Sequence, residues 1–309
     1  KTRINSGRPA CAVPIRIGIK LNLIQIILAI GLASAALAAG GKGDMSQDAK
    51  LVWEYDAPWF GGISGAEVSA DGHELTVITD RGRVIRAELV RKLGVLIDLK
   101  IIHSVALRDQ GGQILVKPFT DAEGLAIGKN GQAYVSFEGQ HRITTLNISN
   151  GVTTPVANAP SAETLTENAG IEALAIHPDG TLFALPEESG EDFFPLYAYR
   201  DGEWVTQTNI PRRGPFLPVG ADFDDAGNLY LLERTVTPLG FRNRIRRFDL
   251  TKPDLAAETL MQSFPAHYDN LEAISVWRDP AGQTRLTVLS DDNFLAIQQT
   301  QVIEFIIPQ

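Results

Sequence analysis

Five times along this chain a short apolar run meets a turn containing glycine and returns as a β-rich run. The units are "SGAEVSADGHELTVITD" from Ser64, "EGLAIGKNGQAYVSFE" from Glu123, "EALAIHPDGTLFALPE" from Glu172, "VGADFDDAGNLYLLE" from Val219 and "EAISVWRDPAGQTRLTVLSD" from Glu272. Asp-Gly, Asn-Gly and Ala-Gly turns supply the positive φ that a tight hairpin needs, so each unit reads as a β-hairpin. Two more strand-like stretches follow, such as "HRITTLNI" and "VTTPVA" after the second unit, or "PLYAYR" and "WVTQTNI" after the third. Four-stranded antiparallel units recurring about every fifty residues are the pattern of a β-propeller, in which each blade buries its faces against the next. Alternation and turn chemistry exclude helical repeats.

The fold expected is therefore all-β, a propeller of five four-stranded blades filling residues 51–309 as a single domain. The last unit has one strand too few, and "LVWEYD" at Leu51–Asp56 would complete it, closing the ring by pairing the N- and C-terminal strands. Six blades are the alternative if Arg83–Thr120 hides a degenerate one.

Residues 1–38 have a different character. Lys1, Arg3, Arg8, Arg16 and Lys20 come without any acidic residue and lead into "LNLIQIILAIGLASAALAAG". That is the pattern of a secretory signal peptide, with Ala36-Leu37-Ala38 as its small-residue cleavage site, and 39–50 read as a flexible linker. Asn22 and Gln25 interrupt the apolar run, so no stable membrane insertion is expected after cleavage. The expected location is periplasmic or secreted. Losing the five positive charges takes the net charge from −9 to about −14, which disfavours nucleic acid as a partner. The one cysteine, Cys11, lies in the signal, leaving no disulfide or thiolate metal site.

Hairpin geometry brings the start of a first strand and the end of a second to the same end of a blade, and in a propeller the first strand lines the central channel. Glu123, Glu172 and Glu272 begin first strands. Asp80, Glu138, Glu187 and Asp291 end second strands, with Glu233 one position early in the fourth blade. Ser64 and Val219 break the glutamate pattern, which makes the ring asymmetric. Carboxylates crowded at one mouth repel, each pair at ~4 Å costing roughly 4 kcal/mol at intermediate dielectric, so each takes a proton or the group takes a cation. Ca²⁺, with its six to eight or so oxygen ligands in loose geometry, suits side chains arriving from separate blades; Mg²⁺ would keep several waters. Zinc is disfavoured, because His73, His103, His141, His177 and His267 show no ligand spacing. The competing reading of any single acid is a strand-end acceptor for backbone N–H groups, or the partner of a nearby arginine.

Basic residues flank the acids: Arg81 and Arg83 in "TDRGR", His141 and Arg142 in "EGQHR", Arg212 and Arg213, and Arg234, Arg242 and Arg244 in "LLERTVTPLGFRNRIRR". A cation beside guanidinium groups is what phosphoester chemistry requires, the ion polarising a phosphoryl oxygen or activating water. Arg244–Arg247 alternates within a strand and reads mainly as blade surface. No G-x-S-x-G elbow, Walker loop or helical histidine pair is present.

Five ordered motifs carry a resemblance: "GGISGAEVS…TDRGR", "DAEGLAI", "GIEALAIHPDG", "GADFDDAGNLYLLER…NRIRRFDL" and "NLEAISV…LSDDNF". Together, over roughly Gly61 to Phe305, they resemble the phytase-like propeller family with esterase-like activity. The resemblance implies a secreted or periplasmic propeller whose recurrent acids serve phosphoester hydrolysis with a divalent cation. The positions that carry over are Asp80, Glu123, Glu138, Glu172, Glu233, Glu272 and Asp291, with Arg81, Arg234, Asp292 and Asn293 beside them. The chain departs from the pattern at Ala173 and Ala273, where glycine often follows the glutamate.

The leading expectation is a divalent-cation-dependent hydrolase of a small phosphorylated substrate. In it Glu123, Glu138, Glu172, Glu187, Glu272, Asp291 and Asp292 hold Ca²⁺, or Mg²⁺, with Asn293 alongside, and Asp80, Arg81, Glu233 and Arg234 act on the substrate. The alternatives are a non-catalytic calcium-binding propeller that presents a ligand- or protein-binding surface and, last, a glycosidase that uses two of the carboxylates with Trp53, Trp59 or Phe60 as platforms. Oligomeric state is left open.

Overall fold

Turn chemistry sets the blades. The hairpin glycines Gly72, Gly131, Gly180, Gly227 and Gly282 all have φ between +72° and +92°. In each turn an Asp or Asn side chain (Asp71, Asn130, Asp179, Asp224, Asp279) accepts the backbone N–H two residues on. The structure, a computed structural model, describes residues 45–138, 140–158, 170–187 and 192–307. The segment expected to be a signal peptide, and the start of the expected linker, lie outside these residues.

The described residues form five four-stranded antiparallel sheets and contain no helix, so none is long and apolar enough to cross a membrane. Blade 1 is β2 (Ile63–Val68), β3 (Glu74–Thr79), β4 (Arg83–Lys92) and β5 (Val95–Ala106). Blade 2 is β6 (Ala122–Ile127), β7 (Ala133–Phe137), β8 (Arg142–Leu146) and β9 (Thr153–Asn158). Blade 3 is β10 (Ile171–Ile176), β11 (Leu182–Pro186), β12 (Phe193–Arg200) and β13 (Glu203–Pro211). Blade 4 is β14 (Leu217–Phe223), β15 (Asn228–Thr237), β16 (Gly240–Asp249) and β17 (Glu258–Gln262). Blade 5 is β18 (Asn270–Arg278), β19 (Thr284–Asp291), β20 (Gln301–Ile307) and, from the other end of the chain, β1 (Ser46–Val52).

The expected closure is present, but its strand lies earlier than read. β1 pairs from Ser46↔Ile306 to Val52↔Gln301, so it takes in residues assigned to the linker, and only Leu51 and Val52 of "LVWEYD" are strand. The ring is locked a second time where Arg91 of blade 1 grips the fully buried Glu304 of β20 through two 2.6 Å bonds. Arg83–Thr120 holds no sixth blade: it supplies the long β4–β5 pair and then a loop bridged at Arg108.

Five buried apolar clusters hold the ring, each spanning one blade-to-blade boundary. Ile78, Leu125 and Phe137 join blades 1 and 2, while Phe194, Phe223 and Leu231 join blades 3 and 4. At the axis the innermost strands β2, β6, β10, β14 and β18 each approach the next around the ring. The approach is close enough that a Cβ added at Gly220 would lie 2.7 Å from the carbonyl oxygen of Glu272.

Candidate active site at the acidic mouth

Every innermost strand carries a register irregularity at its start. The shift falls between Ile63 and Gly65, Ala122 and Leu125, Ile171 and Ala173, Pro218 and Gly220, and Leu271 and Ala273. A bulge inserts an unpaired residue and re-aims its side chain. The residues so placed include Ser64, Glu123, Glu172, Val219 and Glu272, the leading positions of the five sequence units. The small residues that follow, Gly65, Gly124, Ala173, Gly220 and Ala273, let neighbouring strands close in beneath. Ala173 and Ala273 are completely buried or nearly so, so a methyl group fits where a glycine was the family expectation.

Glu123, Glu172 and Glu272 converge as expected, joined by Glu138, Glu187 and Asp291 from the ends of second strands. Burial raises the Glu123 carboxyl well above its ordinary value, and the charges of Glu172, Glu272, Asp121 and Glu138 raise it further. Burial likewise raises Glu172, helped by Glu187, Glu272 and Glu138 and opposed by Arg234. Glu138 is raised by burial and then by Asp121 and Glu187. Asp80 and Asp291 are each pushed up to about 7, by burial first and then by the Asp291 charge on Asp80 and the Glu272 charge on Asp291. These shifts are the electrostatic signature of acids brought together without enough positive charge.

The nearest fixed cation is Arg234. It donates to Asn270 and Glu272 and, at 3.4 Å, to Glu187. These contacts hold the Glu272 carboxyl lower than burial alone would leave it. Arg81 is exposed, its guanidinium 3.1 Å above the Phe294 ring.

Asp80 Oδ1 is buried without a hydrogen-bond partner, a costly condition that a cation or a proton would relieve. Gly62, at φ +64°, makes room for it: a Cβ there would lie 2.0 Å from that oxygen. Asp121, Glu123 and Glu138 each offer an oxygen, and the three atoms lie within 4.8 Å of one another. Three converging carboxylates of this spacing fit a hard divalent cation, which takes oxygen ligands in flexible geometry.

Of the site residues read from the sequence, Glu233 serves otherwise, while Asp292 and Asn293 are held in the turn that follows β19. Glu233 is not in the mouth: it is fully buried inside blade 4, where Arg244 and Arg246 each bind it through two bonds of 2.6 to 2.9 Å. Strand alternation is the reason, since being one position early turns it to the opposite face from Arg234. The same fact corrects Arg244 and Arg246, which are not blade surface but buried at 5% and 0% exposure. Asp292 has both oxygens engaged, Oδ1 by the Gly62 and Phe294 N–H groups and Oδ2 by Thr300. Asn293 occupies a left-handed turn at φ +46° and donates its N–H to Asp291.

Two site residues escaped the sequence reading. Asp121 stands two positions before Glu123, just ahead of β6, and the bulge between Ala122 and Leu125 breaks the strand alternation there, so regular alternation within "DAEGLAI" does not reveal it. Asn270 stands likewise two positions before Glu272 and donates to it at 2.8 Å.

Fold and site together define a five-bladed propeller with an acid-lined channel mouth. Residues 58–294 match the Phytase-like family, described as the esterase-like activity of phytase, and the chain belongs to that family. No curated protein matches the sequence. Among solved structures, the chain is similar to the PQQ-bound aldose sugar dehydrogenase of Streptomyces coelicolor, with 13% identity, TM-score 0.47, and 87% of this chain and 99% of that one covered. It is also similar to a gluconolactonase of Xanthomonas campestris, with 16% identity, TM-score 0.44 and coverage of 80% and 72%. A third is virginiamycin B lyase of Staphylococcus aureus, with 10% identity, TM-score 0.41 and coverage of 86% and 100%. At these scores the likenesses say nothing about chemistry.

Proposed function

We propose that the acidic mouth is the active site of a divalent-cation-dependent phosphoester hydrolase acting on a small phosphorylated substrate. The observation that carries this reading is the convergence of Asp121, Glu123 and Glu138 beside further acids whose charge Arg234 only partly offsets. Asp121, Glu123 and Glu138 would hold Ca²⁺ or Mg²⁺, with Glu172 and Glu187 within its field. When bound, the ion supplies charge neutralisation and polarisation of a phosphoryl oxygen.

The chain's own residues supply the rest. Asp80 and Asp291, each raised to about 7, are each part-protonated around neutrality, so one in its carboxylate form can take a proton from an attacking water while the other in its acid form returns one to the leaving group. Arg234, held by Asn270 and Glu272, is an oriented positive group beside the place where phosphoryl charge develops, and Arg81 is its exposed counterpart. The basic and apolar leading segment supports export to the periplasm or beyond.

The test is turnover of a phosphate monoester and a diester by the purified protein, with calcium, with magnesium and with chelator. Chelator-sensitive hydrolysis that falls at least about a hundredfold in Glu123→Gln is expected. A calcium-stabilised protein with no turnover on either ester would favour the non-catalytic calcium-binding reading instead.

A further inference from the structure

Beyond the acidic mouth the channel narrows. Around Gly65, Leu125, Leu174, Gly220 and Ile274 the free space is about 10 Å³, roughly what one water needs. At the other end the channel opens into a cavity of about 700 Å³, the size of a small-molecule site. Nothing in the proposed hydrolysis uses it.

The charges around this cavity divide into a compensated rim and an uncompensated floor. On the rim Arg86 pairs with Glu74, and Lys129 (2.7 Å) and Arg278 (3.5 Å) share Asp225, while His177 lies 2.9 Å from Asp179. Asp224 is taken up by its own turn, accepting from Ala226, Asn228 and the Tyr230 hydroxyl. The floor carries Glu67 of β2 and Asp222 of β14, 9% and 7% exposed, one on each side of β18. Glu67 accepts from the Ile127 N–H at 3.1 Å and the Ser275 hydroxyl at 3.2 Å. Asp222 accepts from the N–H groups of Phe223 and Val276 at 2.7 and 2.6 Å. All four donors are neutral, and among the described residues no Lys, Arg or His bonds to either carboxylate. Burial pushes both carboxyls up, and their own proximity adds to the rise in Glu67.

The placement follows a rule in the sequence. Blades 2, 3 and 5 carry an acid at the bulge, and blades 1 and 4 do not. Three residues further along the same strands the order is reversed: blades 1 and 4 have Glu67 and Asp222, where the others have Ala126, Ala175 and Ser275. The walls beside that floor are apolar and aromatic, with Ile127, Tyr134, Phe223 and Trp277 among the lining residues.

We propose that this cavity is a second binding site, for a small organic cation whose ammonium group rests on Glu67 and Asp222 and whose apolar body lies against Tyr134, Phe223 and Trp277. An ammonium donates hydrogen bonds that both carboxylates still have lone pairs to accept, and the aromatic side chains lining the cavity cover the apolar body. A hard metal ion is poorly served, because two carboxylates fall well short of the six to eight or so oxygens it seeks. An ammonium replaces the protons that burial makes these carboxyls retain, and a neutral ligand offers no such compensating charge.

The test is calorimetric titration of the purified protein with benzylammonium and with benzyl alcohol, its neutral counterpart, independent of any hydrolytic activity. Benzylammonium is expected to bind at one site, at least about tenfold more tightly than the alcohol. Its dissociation constant rises at least about tenfold in Asp222→Asn and in Glu67→Gln, and stays unchanged in Glu172→Gln at the acidic mouth. Either amide variant suffices should the other not fold; each keeps one acceptor oxygen for one of its two partners. No saturable binding of benzylammonium, equal binding of the alcohol, or weakening by Glu172→Gln in place of the floor variants would each overturn the proposal.

Discussion

At the bulge end of the innermost strands, Glu123, Glu172 and Glu272 face one another with Arg234 as their fixed counter-charge; inside blade 4, Glu233 lies between two arginines and accepts four bonds from them. Both regions bury glutamates in the same sheet architecture. In one the negative charge is cancelled by the protein itself, and removing the acid strands two guanidinium groups, one of them with no exposure at all. In the other the acids repel one another, and removing one relieves the rest. Acids of the first kind belong to stability, and acids of the second kind form a cluster that could hold a metal ion.

The sharpest way to break this contrast is to delete one acid of each kind. Glu233→Ala leaves Arg244 and Arg246 buried and unpaired, for an expected loss of about 3–5 kcal/mol. In a domain of this size that lowers the melting temperature by about 10 °C or more, read by thermal unfolding. Glu172→Gln, in cation-free buffer, is expected to leave the melting temperature unchanged or raise it by a few degrees, about 1 kcal/mol.

A pH titration sharpens the contrast at intermediate size. Asp80, Asp291 and, at the far end, Asp222 have carboxyls raised from 3.8 to about 7 in the folded protein. The folded state therefore binds protons that the unfolded chain has released. Cation-free stability is full below about 4 and is lost as pH rises to about 7, the reverse of an ordinary salt-bridged carboxylate. Unfolding midpoints in denaturant across that window check the sign, and Asp80→Asn should flatten the slope. The smallest effect is expected at Lys129, whose ion pair with Asp225 is exposed on both sides. Lys129→Ala should cost less than about 1 kcal/mol in the same assay.

The fold was legible because local chemistry and global pattern agree: Gly72, Gly131, Gly180, Gly227 and Gly282 mark the hairpins, and apolar runs of strand length precede each turn. The site was legible in part. Glu123, Glu172 and Glu272 were found by their repetition, but their common cause, a bulge at each strand start, is a matter of register that no single strand displays. Glu233 misled because its neighbour, one residue on, is the mouth-facing member of the pair, and alternation counted from Arg234 would have turned it inward. Asp121 was missed because it precedes β6 and the bulge at Glu123 breaks the two-residue count. β1 began earlier than read because "SQDAK" is polar, and an outermost strand with one face in water needs few apolar residues to pair. In the ion-pair core, Glu233 sits directly across the β15–β16 hairpin from Arg244 and two positions from Arg246, separations of 11 and 13 residues in sequence that leave no local pattern.

The central claim is that the mouth's acids are uncompensated and take a divalent cation. Calorimetric titration of the purified protein with calcium, repeated on Glu123→Gln and on Glu233→Gln, tests it most directly. Saturable binding to the parent protein, weakened at least about tenfold in Glu123→Gln and untouched in folded Glu233→Gln, is the result expected. Absence of calcium and magnesium binding by the parent protein, or equal binding by all three proteins, would contradict it.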